Sequence, residues 1–122
     1  MKEKMIDNRD MAEIRHTILT GVTVSVGSLV LLFSSGAQIV LQCVFECQED
    51  GIVRAGHGED VSSSPVLFGL LNRRIVDATV DGNLILSLHF EDGGHLRIAP
   101  ERNGLESYVL TTRYGIRPIV VI

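Results

Sequence analysis

The chain has 122 residues, 45% apolar and 21% charged, which places it among globular proteins and away from disordered ones. This length suits one domain, residues 1–122, with a single core and no need of disulfide or metal staples. Eleven Lys and Arg against fifteen Asp and Glu give a net charge of −4, so no nucleic-acid partner is expected and a basic protein is the more natural one.

Residues 1–15 mix Lys2, Lys4, Arg9 and Arg15 with Glu3, Asp7, Asp10 and Glu13, a neutral start unlike the basic one of a secretory leader. The helix formers from Asp10 to His16 predict one or two helical turns capped by Asp10. Residues 17–45 then carry no charged side chain. Polar Thr20, Thr23, Ser25, Ser28, Ser34 and Ser35 interrupt this stretch, and Val22 to Val26 alternates with a period of two. It therefore predicts strands in a folded interior, with no membrane segment.

Cys43 and Cys47, on one strand, would hold their Cα atoms roughly 13 Å apart, beyond disulfide reach. Two free thiols and a reducing, cytoplasmic compartment are expected. A zinc site combining this pair with His57 is not, and no metal or cofactor is expected. The following segment, residues 46–64, gathers Glu46, Glu49, Asp50, Glu59 and Asp60 against Arg54 alone, and from Gln48 onward it predicts an acidic loop around a short Gly-Ile-Val-Arg strand or turn. Ser64-Pro65 then reads as an N-cap with Pro in the first helical position, opening a short helix through Val66, Leu67, Leu70 and Leu71.

Beyond that helix the chain repeats itself. LVLLFSSGAQIVL (29–41) aligns without gaps to LSLHFEDGGHLRI (86–98), and VTVSV and IVDATV precede the two copies. Each copy predicts a hairpin, so the repeats, about 18–46 and 74–100, are two three-stranded meanders. Placing the apolar positions on one face pairs Phe90 with Leu96, Leu88 with Ile98 and His89 with Arg97, and in the first copy Phe33 with Ile39 and Leu31 with Leu41. The opposite face of the first hairpin carries Val30, Leu32 and Val40, which predicts burial on both sides beneath one of the short helices. Two further strands, Ser107–Thr112 and Ile116–Ile122, complete the chain, the last at a sheet edge because of Pro118. The fold class is mainly β, an antiparallel β-sandwich or curled sheet with one or two short helices.

No catalytic spacing or four-ligand metal pattern is present, so no catalytic residue is assigned and no enzyme is expected. Two surfaces remain as candidate partner-binding sites. The first choice is the acidic set Glu46, Glu49, Asp50, Glu59 and Asp60, and the second is His89, Glu91 and Arg97 on the polar face of the second hairpin, which also carries His95. The alternatives are a small-ligand or regulatory domain with a cleft between the meanders, and a hydrolase using His89 and His95.

The run V-x-A-T-V-D-G-x-L-x-L-x-L-x-F-x-D-G-x-x-L-R-I-x-P-E-x-x-x-L-E-S-Y, from Val76 to Tyr108, resembles a family of small bacterial β-proteins in which two L-x-L-x-F-x-x-G-x-x-L units flank a loop. Here Glu106-Ser107-Tyr108 departs from the Glu-x-Trp pattern of that family. The chain is also similar to immunity proteins of contact-dependent and related polymorphic toxin systems. That resemblance implies a cytoplasmic protein that binds a cognate toxin, often a basic nuclease, and blocks its active site.

Overall fold

The computed structural model describes residues 5–122; Lys2, Glu3 and Lys4, which enter the charge balance of the start, lie outside the described residues. Helix α1 (Asn8–Ile14) precedes the strands β1 (Leu19–Ser25), β2 (Ser28–Phe33), β3 (Gln38–Leu41), β4 (Val44–Glu49) and β5 (Ile52–His57). A 3₁₀ turn (Val61–Ser63) and helix α2 (Pro65–Phe68) lead into β6 (Ile75–Val80), β7 (Leu86–Phe90), β8 (His95–Ala99), β9 (Glu106–Thr112) and β10 (Gly115–Val120). The fold is mainly β, with two antiparallel five-stranded sheets ordered β1-β2-β3-β9-β10 and β5-β4-β8-β7-β6.

Each sheet therefore joins the meander of one half of the chain to the terminal hairpin of the other. β3 pairs with β9, and β8 pairs with β4 in the matching register: Ile39 faces Leu110 and Leu41 faces Tyr108, as Leu96 faces Cys47 and Ile98 faces Phe45. The repeat extends through local detail. Both first strands break register at the corresponding place, between Leu19 and Gly21 and between Ile75 and Asp77. His16 and Asn72, corresponding residues, both take a φ of 66°. The halves meet at the bridge between Ile18 and Arg74, where Leu19 N–H donates to the Arg73 carbonyl (3.1 Å) and Ile75 N–H to that of Thr17 (2.8 Å). Equivalent positions thus bond to each other, as at a two-fold axis within one chain.

The inward rows alternate with a period of two, as their sequence pattern requires. Leu29, Leu31, Ile39, Leu41, Leu86, Leu88, Leu96, Ile98 and Leu110 are fully buried in one core cluster with Phe45 and Tyr108. Helix α1 adds Met11 and Ile14 to this core, and Leu67 and Leu70, in and after α2, enter it in the same way.

Several expectations change. The hairpins pair two residues away from the predicted register, Leu31 with Ile39 and Leu29 with Leu41, Leu88 with Leu96 and Leu86 with Ile98. The cause is the turn: Phe33 N–H donates to Ala37 O and Phe90 N–H to Gly94 O, closing tight loops in which Gly36 and Gly93 adopt φ of +92° and +93°. A slip of two preserves the face of every side chain, so the core assignment stands while the cross-strand partners change. Residues 48–57 are not a loop but the paired hairpin β4–β5. The cap of α1 is Asp7, whose side chain accepts from Arg9 and Asp10 N–H groups, and Asp10 closes the capping box. Neither helix covers Val30, Leu32 or Val40. Those side chains stand half-buried on an open outer face, because the helices direct their apolar residues into the shared core.

Candidate functional site

The two-fold relation makes the outer faces of the sheets directly comparable. On the β1-β2-β3-β9-β10 sheet one cross-strand row reads Thr23, Val30, Val40, Val109, Pro118 and the next reads Gly21, Leu32, Gln38, Thr111, Ile116. On the other sheet the corresponding rows read Thr79, Ser87, Arg97, Glu46, Ala55 and Asp77, His89, His95, Gln48, Val53. The first face carries no charge in these rows. The second concentrates an acid, a base, a carboxamide and two imidazoles at its centre.

That centre exists because β4 docks beside β8. Glu46 stands opposite Arg97, and Gln48 opposite His95. The corrected register also sets His89 opposite His95 instead of Arg97, and the two rings stack with centroids 4.3 Å apart and planes 7° from parallel. The His95 Nε2 is buried with no hydrogen-bond partner among the described residues. Burial, and then the neighbouring His89 and Arg97, push the His95 pKa below its ordinary value, which favours the neutral imidazole. A buried, unpartnered Nε2 is poorly placed to take a proton from a substrate, whereas a flat stacked pair presents an amphipathic surface.

The sequence-predicted acidic residues do not form one patch. Glu46 lies mid-sheet, Glu49 and Asp50 sit at the β4–β5 turn, and Glu59 and Asp60 lie beyond the far end of β5. The six-residue strand β5 separates the last two pairs by roughly 20 Å. Their availability differs as well. Glu49 and Asp92 both bind Arg73, the latter at 2.8 Å, and Glu91 lies 3.9 Å from Arg74. Asp60 accepts from the backbone and hydroxyl of Ser62, which hold its carboxyl below the usual range. Glu59 comes within 3.9 Å of His57. Among the described residues, Glu46, Asp50, Arg54 and Arg97 enter no ion pair, so contacts to a partner break nothing.

His57 anchors the rear of the hairpin. Its Nδ1 accepts from Glu59 N–H (3.1 Å), which makes Nε2 the donor to Glu101 Oε1 at 2.6 Å. The chain turns away at Gly58, where any Cβ would collide with the Leu41 carbonyl. Cys43 and Cys47 are buried free thiols, and burial raises both, Cys43 to about 12, so neither is a ready nucleophile or ligand. Among the described residues no group of three or more His, Cys, Asp or Glu side chains is arranged to hold a metal ion.

Outer-face residues that sequence reasoning missed are Gln48 and Asp77. The alternation of β4 was visible, but its docking against β8 crosses between the halves and has no local signature. Residues 11–120 match the model of a family of unknown function, DUF6188. The chain belongs to this family. No curated protein and no solved structure matches the chain. The family match spans both halves, so the crossed pairing lies wholly within the matched region. No described helix is long and apolar enough to cross a membrane.

Proposed function

We propose that this protein is an immunity-type inhibitor, a non-enzymatic binding protein that recognises a cognate toxin domain in the cytoplasm and blocks its active site. The observation that carries this reading is the outer face of the β5-β4-β8-β7-β6 sheet. On the same backbone, the equivalent face shows that the fold does not require charge there, yet this face holds Glu46 and Arg97 without ion pairs among the described residues. Unpaired charges on a rigid sheet support specific, charge-steered association. The stacked His89 and His95 supply a flat aromatic anchor beside them.

Glu46 and Arg97 are the central contacts, with Asp50 at the turn and His89 completing the patch. Glu49 and Glu91 contribute through the arginines they hold, and Glu59 and Asp60 lie at a remote end. A ligand cleft between the meanders is not supported, because the space between the sheets is filled by buried Leu, Ile and Phe side chains. The open clefts are peripheral, such as one of about 200 Å³ between the β4–β5 hairpin and α2.

The test is binding to the C-terminal domain encoded by the adjacent upstream gene, measured by pull-down and calorimetry. Complex formation is expected, with at least tenfold weakening on Glu46→Lys or Arg97→Glu. A complex indifferent to both reversals and to salt would move the interface elsewhere. Absence of a complex with that domain, together with no protection of cells expressing it, would reject the immunity reading.

A further inference from the structure

We infer that the uncharged outer face of the β1-β2-β3-β9-β10 sheet is a homodimer interface, so that its occupant is a second copy of this chain. The inference is independent of the toxin-binding reading and concerns the opposite side of the molecule.

The repeat itself provides an internal control. Val40 corresponds to Arg97, Val109 to Glu46 and Leu32 to His89, and the backbone holds either set in the same ladder. Apolar residues at Val30, Leu32, Val40 and Val109 are therefore not a folding requirement. They make an open apolar patch that continues to the 63% exposed Ile116.

Area and charge select the occupant. Five strands at a spacing of about 4.8 Å, overlapping over the four residues of β3 or about 13 Å, give a face of roughly 300 Å² in projection. Accessible area exceeds projection because side chains rise from the sheet, so two copies bury on the order of 1,000 Å², the lower bound for a specific interface. This size suits a reversible dimer. In a two-fold dimer each residue on the axis meets its own copy, and a face bearing one sign of charge would repel itself. The central rows here contain only Val, Leu, Ile, Pro, Thr, Gln and Gly. The chain's net charge of −4 opposes association weakly, since the second sheet lies about 10 Å behind this face and the Debye length is about 8 Å. The dimer leaves both charged faces outward and free.

Sedimentation equilibrium of the full chain tests this over protein concentrations from about 1 to about 300 µM, the range in which an interface of this size associates. The average mass is expected to climb from one chain toward two. Val40→Lys, at the centre, and Ile116→Lys, at an already exposed site, are each expected to weaken the dimer at least tenfold, while Ser87→Lys on the other sheet leaves it unchanged. If Val40→Lys fails to fold, as judged by circular dichroism, Ile116→Lys decides alone. A wild-type chain that stays monomeric throughout, or a dimer that survives Ile116→Lys, overturns the inference.

Discussion

Two corners of the molecule, related by the internal two-fold, have been built from the same parts and hold different chemistry. Where α1 meets β10, Asp10 and Arg117 are buried at 0% and 2% exposure; Arg117 Nε donates to Asp10 Oδ2 at 3.1 Å and Thr112 Oγ1 to Asp10 Oδ1 at 2.6 Å. Where α2 meets β5, the corresponding residues are Val66 and Arg54, and the guanidinium is exposed beside the cleft there, with no ion-pair partner among the described residues. The outer faces diverge in the same manner. Inward rows and ladder bonds are what the halves share, because they are what closes the core. The positions that differ are those the fold leaves free, and these are where recognition is expected.

The largest effect that sharpens this comparison comes from the corners. Arg117→Met leaves the Asp10 carboxylate buried without its counter-ion and is expected to cost about 3–5 kcal/mol in denaturant unfolding, whereas Arg54→Met at the equivalent exposed site should stay within about 0.5 kcal/mol. Equal losses at both would erase the distinction between them. A smaller effect follows from exchanging the outer faces. Val40→Arg and Arg97→Val, measured at submicromolar protein, should each change stability by no more than about 1 kcal/mol, the span of strand propensities. A loss of several kcal/mol from Val40→Arg would mean that its face is core.

The smallest expected effect is a pH dependence confined to the charged face. The His95 pKa is depressed in the folded chain relative to the ordinary 6.5, so below that value the unfolded chain takes up a proton that the folded chain refuses. Stability is thus full above about 6.5 and declines as pH falls toward the folded value. Melting temperatures between pH 7.5 and 5.5 should drop less in His95→Gln than in the wild type. No difference between the two would remove His95 as the source.

Much of the core was legible in the sequence, since alternation survives even a register slip of two residues and Leu88 faces inward whether it meets Ile98 or Leu96. The exact partners were not legible, because the reach of Ser34-Ser35-Gly36 depends on the left-handed conformation of its glycine. The stacked imidazoles went unseen for that reason. Asp10 was read as a cap because the sequence displays its helix and hides Arg117, which lies on the last strand. Glu49 and Asp60 looked like members of one acidic loop because a hairpin with charged and glycine residues on its open sides carries little apolar alternation.

The exchange of hairpins between halves also bears on how the protein is made. Strand β3 has no neighbour on one side until residues 106–112 exist, and β4 must wait for β8. During synthesis the first meander emerges with its apolar faces exposed and an open edge, and no half can finish its own sheet. Folding is therefore completed only after the final hairpin leaves the ribosome. A truncation that removes β9 and β10 strips two strands from the sheet that β1, β2 and β3 begin, and so acts on strands made well before it.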